Sequence, residues 1–246
     1  MNLPGVYKIF LEKWDGLQTC WIISDTHFDD KDLCQGIHNR PSDEELVKII
    51  NAKCGKNDLL IHLGDVGNVE WVKQIRAKRK ILIMGNHDAG RTNYERQTWT
   101  EIFDQSVYTR DTALLEVQRE YPGCRYTISE GVGLHTGIEF WKIVADNMLF
   151  DEVYEGPLMI AEKLILSHEP VDVPWAFNIH GHDHTGRKSD KRHLNVCADV
   201  INYTPVNMNQ WMKSGALAHI DTIHRETIDT ATERKRKRGG KKIGER

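Results

Sequence analysis

Five short polar segments carry residue types that bind metal ions: Asp25-Thr26-His27, Gly64-Asp65, Gly85-Asn86-His87-Asp88, Ser167-His168-Glu169 and Gly181-His182-Asp183-His184. In an extended segment, residues i and i+2 point to the same side. Asp25 and His27 are therefore expected to grip one cation while Thr26 points away, and His182 and His184 to face a cluster with Asp183 turned outward. Carboxylate, imidazole and one neutral amide together suit borderline divalent ions such as Mn, Fe, Zn or Ni, and are too nitrogen-rich for Ca or Mg alone. A lone D-x-H or H-x-H is more often incidental, and the tetrapeptide GNHD arises by chance in roughly one chain of this length in several hundred. Five such pieces, each directly after an apolar run, form a joint signal that none of them forms singly.

The elements that must position these residues can be read from the apolar runs before them. Residues 17–24, 58–63, 80–84, 159–166 and 175–180 read as strands. Ser42-Asp43-Glu44-Glu45 is a capping box that opens a helix ending near Cys54-Gly55, and residues 68–78 read as a second helix. Strand and helix alternating at this spacing predict an α/β sheet, at least partly parallel. Such sheets place their sites at the carboxyl ends of the strands. Residues 94–151 give a weaker pattern, with 114–117, 126–129 and 140–144 reading as short strands. There is no repeat and no Pro-rich linker, so residues 1–223 are expected to form one domain and 224–246 a basic charged tail.

The order D-x-H, GD, GNHD, H, GH-x-H resembles that of the calcineurin-like metallophosphoesterase superfamily. The stretches ISDTHFDDKDLCQGIHNRPSDEELVKII, HLGDV and KILIMGNHD look like its small bacterial and phage-type phosphoesterase branch, as do LSHEPVDVPWAFNIHGHDHTG and HLNVCADVINYTPV. The likeness covers residues 22–88 and 164–206 and hardly touches 94–151. It implies an α/β fold in which a two-sheet sandwich is flanked by helices (α/β/β/α) in a single domain. It also implies a dinuclear metal centre: Asp25, His27 and His184 on the first ion, Asn86, His168 and His182 on the second, and Asp65 bridging both. Two cations ~3.5–4 Å apart repel and need an anion between them. A bridging water would attack phosphorus in line, and His87, which is no ligand in this scheme, would protonate the leaving oxygen or stabilise its charge.

The same likeness implies a metal-dependent phosphoric ester hydrolase, a phosphodiesterase or phosphatase, acting on a small or nucleotide-like substrate. Manganese is the first choice of ion, ahead of iron, zinc or nickel. Alternatives are a metal-dependent nuclease on DNA or RNA and, more remotely, a non-catalytic scaffold on the same fold. The superfamily's Ser/Thr phosphatases resemble GD-x-V-D-R-G followed by GNHE; here Gly64-Asp65-Val66-Gly67-Asn68-Val69-Glu70 precedes GNHD, which disfavours a protein phosphatase. Asn68 stands where an acidic residue often supports the catalytic His, leaving the partner of His87 open. Asp88 either supports the ligands or caps its turn.

The 246 residues, 39% hydrophobic and 28% charged, exclude collagen-like, coiled-coil and wholly disordered chains. No apolar run approaches the ~20 residues that span a bilayer, and residues 1–14 lack a secretory apolar core, so no membrane partner is expected. Five scattered cysteines with no C-x-x-C pair point to a reducing cytoplasm. Residues 233–246 hold eight Lys or Arg against two Glu in a chain of net charge −3, so the body is acidic. That tail reads as solvated, with a nucleic-acid arm as the alternative. His62 and His180 read as core histidines, Arg40 and Arg91 as surface arginines, and Trp71, Trp99, Trp141, Trp175 and Trp211 as core.

Overall fold

Short runs of Ile, Leu and Val, too brief for a helix of useful length, form strands here that are covered on both faces. A computed structural model describes residues 19–36, 39–88, 93–161, 163–220, 230, 232 and 233. Strands β1 (Cys20–Ile23), β2 (Leu59–His62) and β3 (Arg79–Ile83) pair in parallel, and β2 is buried at every position. The edges of this five-stranded sheet are β7 (Glu152–Tyr154), parallel to β3, and β12 (Val206–Asn207), antiparallel to β1. The second sheet takes the order β11-β10-β9-β8, from β8 (Leu158–Ala161), β9 (Leu164–Leu166), β10 (Phe177–His180) and β11 (His193–Asn195). Its three strands β9, β10 and β11 are parallel.

The two sheets meet at a seam. The amide of Ser24, just past β1, donates to the Val196 carbonyl at 3.0 Å, and Ala198 N–H returns a bond to Ser24 O at 2.9 Å. Side chains from both sheets, among them Ile22, Ile61, Leu166 and Ile179, fill one core. Helices flank it. α1 (Lys31–Gly36) and α2 (Asp43–Lys53) cross from β1 to β2, and α2 buries Leu46, Val47 and Ile50. The Ser42 capping box forms as read, with Ser42 Oγ accepting from Glu45 N–H and Glu45 Oε2 from Ser42 N–H. This is the two-sheet α/β sandwich that the sequence predicts.

Three local expectations fail. The helix expected over 68–78 is a 3-10 helix, Val69–Gln74, because Asn68 caps it and the backbone leaves it at Ile75. The single run 159–166 is two antiparallel strands, β8 and β9. In the middle of the chain, residues 114–117 belong to a helix, α3 (Arg110–Glu120), capped by Thr109 and burying Ala113 and Val117 four apart. That helix packs on an antiparallel sheet ordered β4 (Thr98–Asp104), β6 (Glu139–Asp146) and β5 (Arg125–Val132). The whole unit is inserted in the crossover from β3 to β7 and keeps a small core of its own around Ile143 and Ala145. The boundary expected after residue 223 and nearly all of the tail fall outside the described residues. No helix among the described residues is long and apolar enough to cross a membrane.

Candidate metal centre

Every parallel strand of both sheets that precedes a polar segment ends on the same edge. Asp25 and His27 follow β1, Asp65 follows β2, Asn86 and His87 follow β3, His168 follows β9, and His182 and His184 follow β10. The structure brings all eight together there. The backbone does so by turning, since Asp25 (φ 59°), His27 (φ 40°), Asp65 (φ 55°) and His182 (φ 66°) lie in the left-handed region. The expected i, i+2 alternation of an extended strand is therefore not the device. Such conformations cost about 1–3 kcal/mol each and persist where surrounding contacts hold them. The motif glycines let the turns touch: a Cβ on Gly85 would overlap the Asp65 carboxylate, and one on Gly181 the side chains of Ser24 and Asp25.

Two groups of ligand atoms result. Asp25, His27 and His184 converge in one, and Asp65, His168 and His182 in the other. Asp65 Oδ2 lies between them, 3.5 Å from His27 Nε2 and 3.3 Å from His168 Nε2. Asn86 Oδ1 joins the second group at 2.9 Å from His168 Nε2. The chemistry of these atoms calls for cations. His168 Nδ1 donates to the Leu63 carbonyl at 2.8 Å, which leaves the Nε2 lone pair facing other acceptors, and His182 Nδ1 is 3.2 Å away. Asp25 Oδ1 and His27 Nε2 are buried with no hydrogen-bond partner. Buried polar atoms are rarely left so, and divalent ions are the groups that fit between two carboxylates and four imidazoles.

Burial and mutual attraction set the charge states here: against the effect of its burial, Asp65 and Asp25 raise the pKa of His168. Burial works against the Asp65 carboxylate, yet its interactions with His168, the His87 amide and His27 pull its pKa down to about 2. Burial lowers the pKa of His27 in spite of Asp65 and Asp25, so the ring is neutral and free to ligate.

A second layer holds these ligands still. Asp88, fully buried, accepts from Asp65 N–H at 2.7 Å and Gly85 N–H at 3.0 Å through Oδ2, and from Val66 N–H and Tyr94 O–H through Oδ1. Both readings of Asp88 thus describe one contact set: it caps its own turn and ties the Asp65 loop to it. His184 donates from Nδ1 to Asp199 Oδ2 at 2.6 Å, which turns Nε2 toward Asp25 Oδ1 at 3.7 Å. Asp199 accepts in turn from Arg40 at 2.8 Å and Tyr203 O–H at 2.8 Å. That bond raises the pKa of His184, while the same partners hold Asp199 below the usual carboxylate range against the effect of burial.

Arg40 is therefore no surface arginine. Its side chain is 1% exposed and also donates to the carbonyls of Asp25 and Thr26. Asp199 was missed in the sequence, where nothing but its place after HLNVCA marks it.

His62 and His180 are core histidines as expected. His62 Nδ1 accepts from Gly64 N–H at 3.2 Å and its Nε2 donates to Thr26 Oγ1 at 3.0 Å, so Thr26 does point away from the ligands. Asn68 supports no catalytic His: it caps the 3-10 helix through Oδ1 and donates to Asp29 Oδ2 at 2.6 Å. Trp71 and Trp211 pack on the main core and Trp99 and Trp141 on the small one, but Trp175 is exposed. Arg91 lies outside the described residues.

The family model of calcineurin-like phosphoesterases matches residues 19–204. The chain belongs to that family. Metal-dependent phosphoester hydrolysis is the class of chemistry that this calcineurin-like phosphoesterase is built for. No curated protein is significantly similar to it. Among solved structures, a protein of unknown function from Aquifex aeolicus is similar at 20% identity and a TM-score of 0.48, over 80% of this chain and 99% of that one.

Proposed function

We propose that this phosphoesterase hydrolyses a small or nucleotide-like phosphoester at a centre of two divalent ions. Asp25, His27 and His184 would hold one, Asn86, His168 and His182 the other, and Asp65 would bridge them. The observation that carries this reading is the Asp65 carboxylate, whose Oδ2 faces His27 and His168 of the two groups within 3.5 Å. When bound, the ions supply Lewis acidity to the phosphoryl oxygens and the attacking water. Manganese suits this mixed donor set, as do iron, zinc and nickel.

The chain's own residues do the rest. His87 N–H donates to Asp65 Oδ1 at 2.9 Å, which fixes the backbone beside the centre. Its ring, with the side chain 59% exposed, stands with Nε2 4.0 Å from Asp65 Oδ2 and its centroid 5.3 Å from that of His27. From there it can reach a leaving oxygen and protonate it. His27 and His87 open on a cavity of about 560 Å3 that also presents Asp29, Asp30 and Asp32 against one cation, Lys31, and Asn86 and His168 open on one with Glu155 and Glu169. An acidic rim repels a long polyanion, which supports a small substrate over a nuclease reading. Retention of every candidate ligand and of His87 argues against a scaffold. Cys124 and Cys197 are free thiols, which supports placement in a reducing compartment such as the cytoplasm.

The test is a screen of the protein reconstituted with Mn, Fe, Zn or Ni against mono- and diesters, cyclic nucleotides, and single-stranded DNA and RNA. Divalent-dependent turnover of a small ester is expected. Turnover confined to nucleic acid would replace the reading by a nuclease, and no turnover with any ion would overturn it.

A further inference from the structure

The strands that deliver Asp65 and Asn86 to the metal edge begin at a second concave surface. There the residues before β2, the segment after the 3-10 helix and the inserted unit line a half-open cavity of about 350 Å3. Six cations line it: Lys56, Arg76, Lys78, Lys80, Arg96 and Arg125; no carboxylate does. Two of the six have partners. Lys80 is buried and donates from Nζ to the carbonyls of Val72 at 2.9 Å and Met148 at 2.6 Å. Arg96 is paired with Asp146 and Asp151. Lys56, Arg76, Lys78 and Arg125 are exposed, and none of them enters an ion pair among the described residues.

In a chain of net charge −3, this surplus is far from the surface average. Like charges so gathered repel, and a bound anion would remove that repulsion. Burial pushes the Lys80 pKa down to about 8 against the pull of Asp151 and Asp146, with Arg96 and Arg125 adding to the effect. The cavity lies away from the metal centre. Lys56 precedes β2 and Lys78 precedes β3, whereas Asp65 and Asn86 follow them, and a four-residue strand alone separates its ends by about 10 Å.

We propose that this cavity is a second binding site, for a small oxyanion carrying several charges, of the pyrophosphate or nucleotide polyphosphate type. Guanidinium forks and ammonium groups match phosphate oxygens, and the volume falls within the range of about 300–1,000 Å3 usual for small-ligand sites. A concave pocket of this volume suits a compact ligand better than the long stripe that tracks a nucleic-acid backbone.

The test titrates the full chain calorimetrically with inorganic pyrophosphate in excess chelator, so that the metal centre offers no cation. Wild type is expected to bind about one equivalent. Lys78→Gln/Arg125→Gln is expected to bind at least about tenfold more weakly. Lys142→Gln/Lys213→Gln, which removes the same charge elsewhere, should match wild type. Unchanged melting midpoints would show that each variant is folded. Parallel titrations with ADP and AMP separate the sources: tighter ADP binding assigns a nucleotide, and equal or weaker ADP binding assigns the free anion. Equal affinity in all three proteins, equal loss in both variants, or no binding at all overturns the proposal. So does binding of a single-stranded oligonucleotide alone, which would make the surface a nucleic-acid contact.

Discussion

At the metal edge, Asp25, His27, Asp65 and His182 sit at positive φ, two carboxylates are buried, and two polar atoms lack hydrogen-bond partners. In the inserted unit of β4, β5, β6 and α3, no described residue other than glycine has positive φ. Its buried core is Ala113, Val117, Ile143 and Ala145, while Leu134 is 98% exposed and Ile102 63% exposed. The first region carries local strain held in place by Asp88, Arg40 and Asp199. The second is regular but thinly packed. Strain concentrated where ligands converge is expected of a working site, and a small separate core is expected of an elaboration whose loss the sandwich would survive.

The sharpest test of that contrast is Asp65→Asn. It removes the anion between the two ligand groups, so both ions and more than about a thousandfold of turnover should go, beyond the effect of losing one electrostatic donor. Metal analysis and the rate on a nitrophenyl diester check this; a variant that keeps two ions and near-normal rates would break the assignment.

Next in size, His87→Asn should keep the ions and lower kcat by about 10²–10⁴-fold. The loss should be smaller for a nitrophenolate leaving group than for an alkoxide, so rates on two such esters beside metal content decide whether the ring donates a proton. Equal losses would point to charge stabilisation, and lost metal to a structural role.

On the other side of the comparison, Ile143→Ala empties the small core and should destabilise the inserted unit by about 2–5 kcal/mol. Hydrogen exchange should accelerate over residues 98–146 while metal content stays fixed and turnover of a small ester changes by less than about threefold. A parallel collapse of activity would tie the unit to the site and erase the distinction.

The smallest effect concerns acid. Burial lowers the His62 pKa from 6.5 to about 4, so as pH falls the unfolded chain takes up this proton first. The stability that neutral His62 contributes is present above pH 6.5 and is lost as pH falls toward about 4. Urea midpoints of wild type should therefore drop more steeply over that window than those of His62→Gln. Identical slopes would remove His62 from the acid response.

The parts of the fold legible in the sequence were those where one local signal agreed with its surroundings. Ser42 and Glu45 announced α2, and fully apolar LLI and LIL could only be covered strands. The metal motifs could be listed, but not the left-handed turns that make Asp25 and His27 converge, because φ at a non-glycine residue leaves no mark in composition. Residues 94–151 resisted for a different reason. The run Leu114-Leu115-Glu116-Val117 fits one turn of helix as well as a strand, and the deciding features, Thr109 as cap and Ala113 with Val117 four apart, are weak beside it. Arg40 and Asp199 are 159 residues apart in sequence, and only the folded chain brings them together.

The seam between the sheets also sets an order in time. Each ligand group draws on both halves of the chain: Asp25 and His27 need His184, and Asp65 needs His168 and His182. During synthesis the early strands emerge with two carboxylates and an incomplete set of imidazoles, more than a hundred residues before the partners they require. Half-sites of that kind would hold a divalent ion weakly, so metal capture would wait until the second sheet has docked on the first through the seam between Ser24 and Val196. Metal acquisition would thereby become the closing act of maturation, and a nascent chain stalled before residue 168 would lack the imidazoles needed to hold the wrong ion tightly.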